Sequence, residues 1–231
     1  MKFLLTVLST FIMVISMTNQ AFATLSVDVS SLTSVAAFSC AKNLGYSTAA
    51  IRGYFEAYGN NPGGAIDSNF LKSYENAKQA GYTDIDVYMF PCTGRSTCKT
   101  PQQQVNELVN LINTNKVIVR TAWLDVEVDK TSGNWNLGPA KNQEILKEFF
   151  AAWKSTGWKF GIYSSQSQWE AITGDKNWVL DSSLPLWYAI YDKNSSLNNY
   201  RAFGGWTQGT CKQYDGDAKF CGASFDKNIC K

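Results

Sequence analysis

The chain has 231 residues, 45% of them hydrophobic and 14% aromatic, with eight Trp, six Cys and no His. Its 21 Lys and Arg nearly balance 19 Asp and Glu, for a net charge of +2, and no Lys/Arg cluster stands out, so nucleic acid is not an expected partner. Without histidine, Ser-His-Asp and Cys-His hydrolysis and most catalytic metal centres are excluded, so carboxylates must carry any acid–base chemistry, and neither a metal nor a cofactor is expected.

Lys2, an apolar run from Phe3 to Met17, polar Thr18-Asn19-Gln20 and then Ala21-Phe22-Ala23 read as a secretory signal peptide, residues 1–23, cut after Ala23. The run is short of the roughly 20 residues a spanning helix needs, and no second such run follows, so the mature chain is expected to be exported or lumenal in the secretory pathway, with no membrane association. Residues 24–231 contain no linker or low-complexity tract and should form one domain, expected as a monomer. Strand patterns cover Leu25 to Val29 and Ala49 to Tyr54. A helix from Asp67 to Ala80 stops at Gly81, and a strand follows from Ile85 to Phe90. Thr100 is placed as an N-cap before Pro101, and Val105, Leu108, Val109 and Ile112 then repeat at helical spacing. A long strand is expected from Val117 to Val128, then a helix carrying Ile145, Phe149, Ala152 and Trp153 that ends at Gly157. Further strands are expected at Lys159 to Ser164, Leu186 to Tyr191, Gly205 to Gln208 and near Ser224 to Asp226. This alternation implies an α/β fold with a parallel sheet, and close to eight strands imply a barrel whose last strands join by loops.

Six cysteines in an exported chain favour disulfides. Cys92–Cys98 and Cys211–Cys221 would close short loops, which leaves Cys40–Cys230 by elimination. Asn194-Ser195-Ser196 is a sequon for one N-glycan.

The chemistry concentrates in Trp123-Leu124-Asp125-Val126-Glu127. Residues i and i+2 of a strand share a face, so Asp125 and Glu127 should point together. Two neighbouring acids can have their pKa values pushed apart, leaving one as a proton donor and the other ionised, which suits cleavage of a glycosidic bond. Barrel sites form at the carboxyl ends of the strands, where Asp28, Tyr88, Tyr163, Tyr191 and Asp226 are also expected. Aromatic residues near those ends, namely Trp123, Trp135, Tyr163, Trp187 and Tyr191, are candidates to stack on sugar rings, and about half are expected to line a groove.

Val27-Asp28-Val29-Ser30, Tyr88-Met89-Phe90-Pro91, Trp123-Leu124-Asp125-Val126-Glu127, Gly161-Ile162-Tyr163-Ser164 and Asp226-Lys227-Asn228, in this order, resemble glycoside hydrolase family 25. These are lysozymes sometimes called Chalaropsis-type, and the pattern is similar to the secreted branch of nematodes and amoeboid protists. The resemblance implies a modified TIM-like barrel of five βα units followed by three strands. It also implies cleavage of the β-1,4 bond between N-acetylmuramic acid and N-acetylglucosamine in bacterial peptidoglycan, in digestion or antibacterial defence. By the same resemblance Glu127 is the general acid, Asp125 stabilises the transition state or orients the substrate, and Asp28 and Asp226 complete the acidic cleft. Tyr88, Phe90, Trp123, Tyr163, Trp187 and Tyr191 are the expected substrate contacts. Ser26 stands where many members have Gly, and Met89 where bacterial members often have His.

Two other readings differ in class. A glycan-binding protein without turnover would release no reducing ends from cell walls. A chitinase-like glycosidase would prefer chitin oligomers, but such enzymes usually carry a further Asp before the acid pair, where this chain has Trp123.

Overall fold

The structure, a computed structural model, describes residues 23–56, 63–129, 131 and 133–231. The expected signal segment lies outside these residues except for Ala23. The strands are β1 (Thr24–Val29), β2 (Thr48–Phe55), β3 (Ala65–Ile66), β4 (Asp84–Met89), β5 (Ala122–Asp125), β6 (Phe160–Ser164), β7 (Leu186–Ala189), β8 (Cys211–Phe220) and β9 (Ala223–Cys230). The helices are α1 (Val35–Asn43), α2 (Phe70–Gln79), α3 (Pro101–Thr114), α4 (Pro139–Ser155) and α5 (Gln166–Thr173).

The sheet runs β1-β9-β8-β7-β6-β5-β4-β2 and closes through the parallel pairing of β1 with β2. The short β3 adds to the upper end of β2. Five strand-and-helix units come first, and β7, β8 and β9 complete the barrel without helices, as the resemblance implied. Only β9 runs against its barrel neighbours, pairing antiparallel with both β8 and β1.

Local chemistry accounts for the helix ends. Thr100 and Gln103 form a reciprocal capping box in front of Pro101, which satisfies two otherwise orphaned amides. Ser165 caps α5, and Gly174 ends it in the left-handed conformation at φ 80°. Helix α2 starts later than expected because Asp67 forms the turn before it. The Asp67 carbonyl accepts from Phe70 N, and its carboxylate accepts from Asn69 N and Arg52.

Three strand expectations need correction. The strand expected from Val117 to Val128 is ordered as β5 only over Ala122–Asp125. Its first part precedes the barrel, with Ile118 70% exposed. Gly205 to Gln208 is a turn, since Gly204 and Gly205 both have positive φ and only an isolated Phe203–Trp206 bridge forms. The eighth strand is instead β8, whose outer half is too polar to stand out, and the piece near Ser224 to Asp226 is part of the longer β9.

The disulfide pattern also departs from expectation. Cys92–Cys98 forms, whereas Cys40 pairs with Cys221 and Cys211 with Cys230, in place of Cys40–Cys230 and Cys211–Cys221. The reason is strand geometry: Cys211 begins β8 and Cys221 follows its end, so at about 3.3 Å per residue they stand roughly 30 Å apart. Cys211 lies directly across from Cys230 in the β8–β9 register. Cys221 sits with Gly222 in the two-residue hairpin turn, where both have positive φ, and from there it reaches Cys40 on α1.

Barrel filling sets the height of the site. Ala50, Tyr88, Trp123, Tyr163, Trp187, Cys211 and Cys230 pack together inside the wall. Gly161 leaves room for this layer: a Cβ there would lie 2.5 Å from the Trp123 ring and 2.6 Å from the Pro185 carbonyl oxygen. Gly161→Ala is therefore expected to cost about 1–3 kcal/mol, the usual range for overpacking, read as a lowered urea midpoint at unchanged m-value.

Candidate active site

Asp28 and Asp226 face each other across the β1–β9 pairing, so the antiparallel register alone brings two carboxylates together. Asp125 ends β5 opposite Tyr163. Val126 N then donates to the Tyr163 carbonyl at 2.8 Å, continuing the strand direction so that Glu127 follows Asp125 onto the same side. The Glu127 backbone is held by Asn134, whose Nδ2 donates to its carbonyl at 2.9 Å. All four acids line one cavity of about 180 Å³ at the carboxyl end of the barrel. Tyr88, Phe90, Tyr163, Trp187 and Tyr191 line it too.

Trp123 does not reach this cleft. It is buried one layer below Asp125, its indole N–H donates to Asp86 Oδ2 at 3.0 Å, and its ring meets Trp187 edge-on at 5.7 Å. Two residues back along β5 is the same face but about 6.5–7 Å further down, which makes Trp123 a floor rather than a contact. Trp135 is likewise buried in the outer core. Of the five aromatic candidates, Tyr163, Trp187 and Tyr191 line the cleft. Tyr191 is the open one, at 60% exposure.

Three further lining residues, Ser30, Arg52 and Gln213, were not anticipated. Gln213 is a hub. Its Oε1 accepts from the Tyr163 and Tyr191 hydroxyls, each at 2.7 Å, and its Nε2 donates to Asp28 at 2.9 Å and Asp226 at 3.3 Å. Asn228 makes a second relay, accepting from the Trp187 indole at 2.8 Å and donating to Asp28 at 2.7 Å. Arg52 is fixed by Asp67 at 2.8 Å and by the Ser30 carbonyl at 2.6 Å. An arginine within the otherwise apolar β2 was a legible signal. Gln213 was hidden because β8 itself was.

Burial dominates the electrostatics. It pushes Asp28 and Asp125 well above the ordinary carboxylate range, helped by the charge of Asp226 on Asp28 and of Glu127 on Asp125. The amides of Asn228 and Gln213 partly oppose this at Asp28. Burial and then Asp226 raise Glu127, and burial raises Asp226. Asp125 Oδ1 is buried without a hydrogen-bond partner, an arrangement that is costly for an ionised carboxylate unless a ligand supplies a donor. The cleft acids thus keep their protons to higher pH than free carboxyl groups do, which suits donation of one to a leaving group.

This has a consequence for stability. Where folded-state pKa values are raised above unfolded ones, the folded chain binds more protons. The associated stability is full below the ordinary carboxylate range and is lost as pH rises through the raised values. Asp28→Asn keeps an acceptor for Asn228 and removes the buried ionisable group, so it should flatten the decline of the melting temperature as pH rises through the raised values and leave the variant the more stable above them. An unchanged decline in that variant would contradict the account.

A closed barrel with carboxylates and aromatic side chains gathered at the carboxyl ends of its strands defines a glycosidase-type site. A family model described as lysozyme-like protein 1 matches residues 19–214. The chain is 36% identical over 229 residues to a probable GH family 25 lysozyme 5 of Dictyostelium discoideum, with 99% of each chain covered. It is 33% identical to lysozyme-like protein 5 of Caenorhabditis elegans, covering 87% of this chain and 89% of that one. The solved lysozyme of Streptomyces coelicolor shares the fold with a TM-score of 0.68 at 20% identity, covering 91% and 93% of the two chains. The chain belongs to the family 25 lysozymes and is a glycoside hydrolase.

Proposed function

We propose that the protein is a secreted lysozyme that cleaves the β-1,4 bond between N-acetylmuramic acid and N-acetylglucosamine in bacterial peptidoglycan. The observation that carries this reading is the convergence of Asp28, Asp125, Glu127 and Asp226 in one aromatic-lined cleft. In this scheme Glu127, raised and less enclosed than Asp28, gives its proton to the leaving 4-oxygen as the C1–O bond breaks. The 2-acetamido oxygen of the muramic acid closes on C1, oriented by Asp125, whose unpartnered Oδ1 accepts from the acetamido N–H. Water then opens the ring intermediate as Glu127 recovers a proton from it, giving net retention without a covalent enzyme intermediate. Asp28 and Asp226 keep Gln213, and through it Tyr163 and Tyr191, in place. Three disulfides suit a secreted or lumenal setting, and Asn194, exposed after β7, is open to an N-glycan.

The test is to incubate the purified protein with defined glycan polymers of both sugars and identify the new reducing end by mass spectrometry. A muramic acid end formed first as the β-anomer is expected. Cleavage of chitin oligomers alone would refute the substrate assignment. Initial α-anomer, or a glycan attached to Asp125, would refute the mechanism and leave the lysozyme standing.

A further inference from the structure

Where β6 and β7 end, just outside the barrel wall from the acidic cleft, lies a second depression of about 210 Å³ lined by residues including Ser165, Ser167, Tyr188, Ile190, Arg201 and Phe203. Resting on the lysozyme reading above, we infer that this depression binds the carboxylates of the peptide borne on the lactyl ether of the muramic acid, so that the enzyme reads the peptide as well as the glycan.

The two cavities are neighbours along the chain. Tyr163 and Tyr191 line the cleft, whereas Ser165 and Ile190 line the depression, so both open at the same end of the same two strands. Their charges are opposite. The cleft holds four acids, and its cation, Arg52, is already engaged by Asp67. The depression contains a cation, Arg201, and no acid among its lining residues. Arg201 is exposed and makes no ion pair among the described residues. The nearby acid Asp192 is taken up by Lys212.

An anionic peptide attached to a sugar in the cleft would find its cation in the depression, where the exposed Arg201 guanidinium has no acid beside it among the lining residues. The floor fits the same ligand. The half-buried Ala189 and Ile190, backed by the buried Tyr188 and Phe203, give an apolar surface for small alkyl side chains, while the Ser165 and Ser167 hydroxyls and the Arg201 fork supply donors.

The site is also held in place. Gln166 Nε2 donates to the Ala202 carbonyl at 2.9 Å, and the Tyr200 hydroxyl donates to the Trp206 carbonyl at 3.1 Å, so the residues on either side of Arg201 are tied down. The backbone that carries Arg201 is thereby fixed, which lessens the freedom lost on binding.

The experiment compares two substrates for the purified protein: peptide-bearing glycan polymer, and the same polymer stripped of peptide by an amidase. The wild type should cleave both, with the lower KM for the peptide-bearing form. Arg201→Ala should raise KM on that form by about tenfold, the scale of one charge-assisted hydrogen bond, with kcat unchanged and with no effect on the stripped polymer. Arg201→Glu should deepen the same selective loss. Equal losses on both polymers, or no loss on either, would overturn the inference while leaving the lysozyme intact. Failure of the wild type to produce muramic acid ends from either polymer would overturn the lysozyme reading, and this inference with it.

Discussion

Glu127→Gln is expected to lower turnover on cell-wall polymer by about 10²–10⁴-fold, the usual contribution of general acid catalysis, with folding and glycan binding retained. The substitution keeps the size and shape of the side chain, so the aromatic lining and the Gln213 hub are undisturbed. What it removes is the proton. Glu127 is held above its ordinary pKa first by burial and then by the charge of Asp226, so it keeps that proton to higher pH than a free glutamate does. Because the interaction exists only as the leaving oxygen gains charge, the loss should fall on kcat and on kcat/KM alike, with KM little changed. Clearing of cell walls at near wild-type rate by this variant would mean that another acid is the donor. Asp226→Asn would then be the next variant to measure, since Asp226 is also raised and lines the same cleft.

The parts of this site that were legible in the sequence share a property: each is encoded by short-range periodicity. Asp125 and Glu127 were expected to share a face because they are two apart along an extended run, and helices α2, α3 and α4 were legible from local signals, as in α3, whose cap and apolar repeat both lie within fourteen residues, whereas the count of five βα units rested on the family resemblance. The illegible parts depend on which distant strands become neighbours. Gln213 meets Asp28 and Asn228 meets Asp28 across separations of 185 and 200 residues. The pairing of Cys211 with Cys230 likewise follows from strand register, and loop length pointed the wrong way. Trp123 shows a subtler limit. Two residues before Asp125, it lies on the same interior face, but depth along the barrel axis decides whether an inward residue meets substrate or packs beneath it, and Gly161 on the next strand is what lets the indole fill that lower layer.

Lys212→Met should lower stability by about 3 kcal/mol. Lys212 is next to Gln213 on β8, so its side chain leaves the opposite face of the strand. There it is fully buried, and its ammonium meets both Asp192 carboxylate oxygens at 2.8 Å, the Asn194 carbonyl at 2.9 Å, the Ser196 carbonyl at 3.3 Å and Asn199 Oδ1 at 3.0 Å. Burial alone would raise Asp192, yet the hydrogen bonds from Lys212 and its neighbours hold it below the ordinary aspartate range. Methionine fills a similar volume but leaves a carboxylate and several carbonyl oxygens without their shared donor. Removing one partner of a buried pair costs about 3–5 kcal/mol, and the low end applies because Asp192 is 28% exposed and can regain water. For a domain of this size that is a fall in Tm of roughly 6–12 °C. Asp192→Asn should cost less, and the double variant should cost clearly less than the two single losses added together, because both remove one interaction. Additive losses would show that Lys212 acts independently of Asp192. The loop held by this cage begins at the residue after Tyr191, whose hydroxyl is gripped from the barrel side by Gln213. Two adjacent residues of β8 therefore fix the cleft's exposed aromatic platform from opposite faces of the wall, and loosening the outer grip should raise KM for glycan more than it changes kcat.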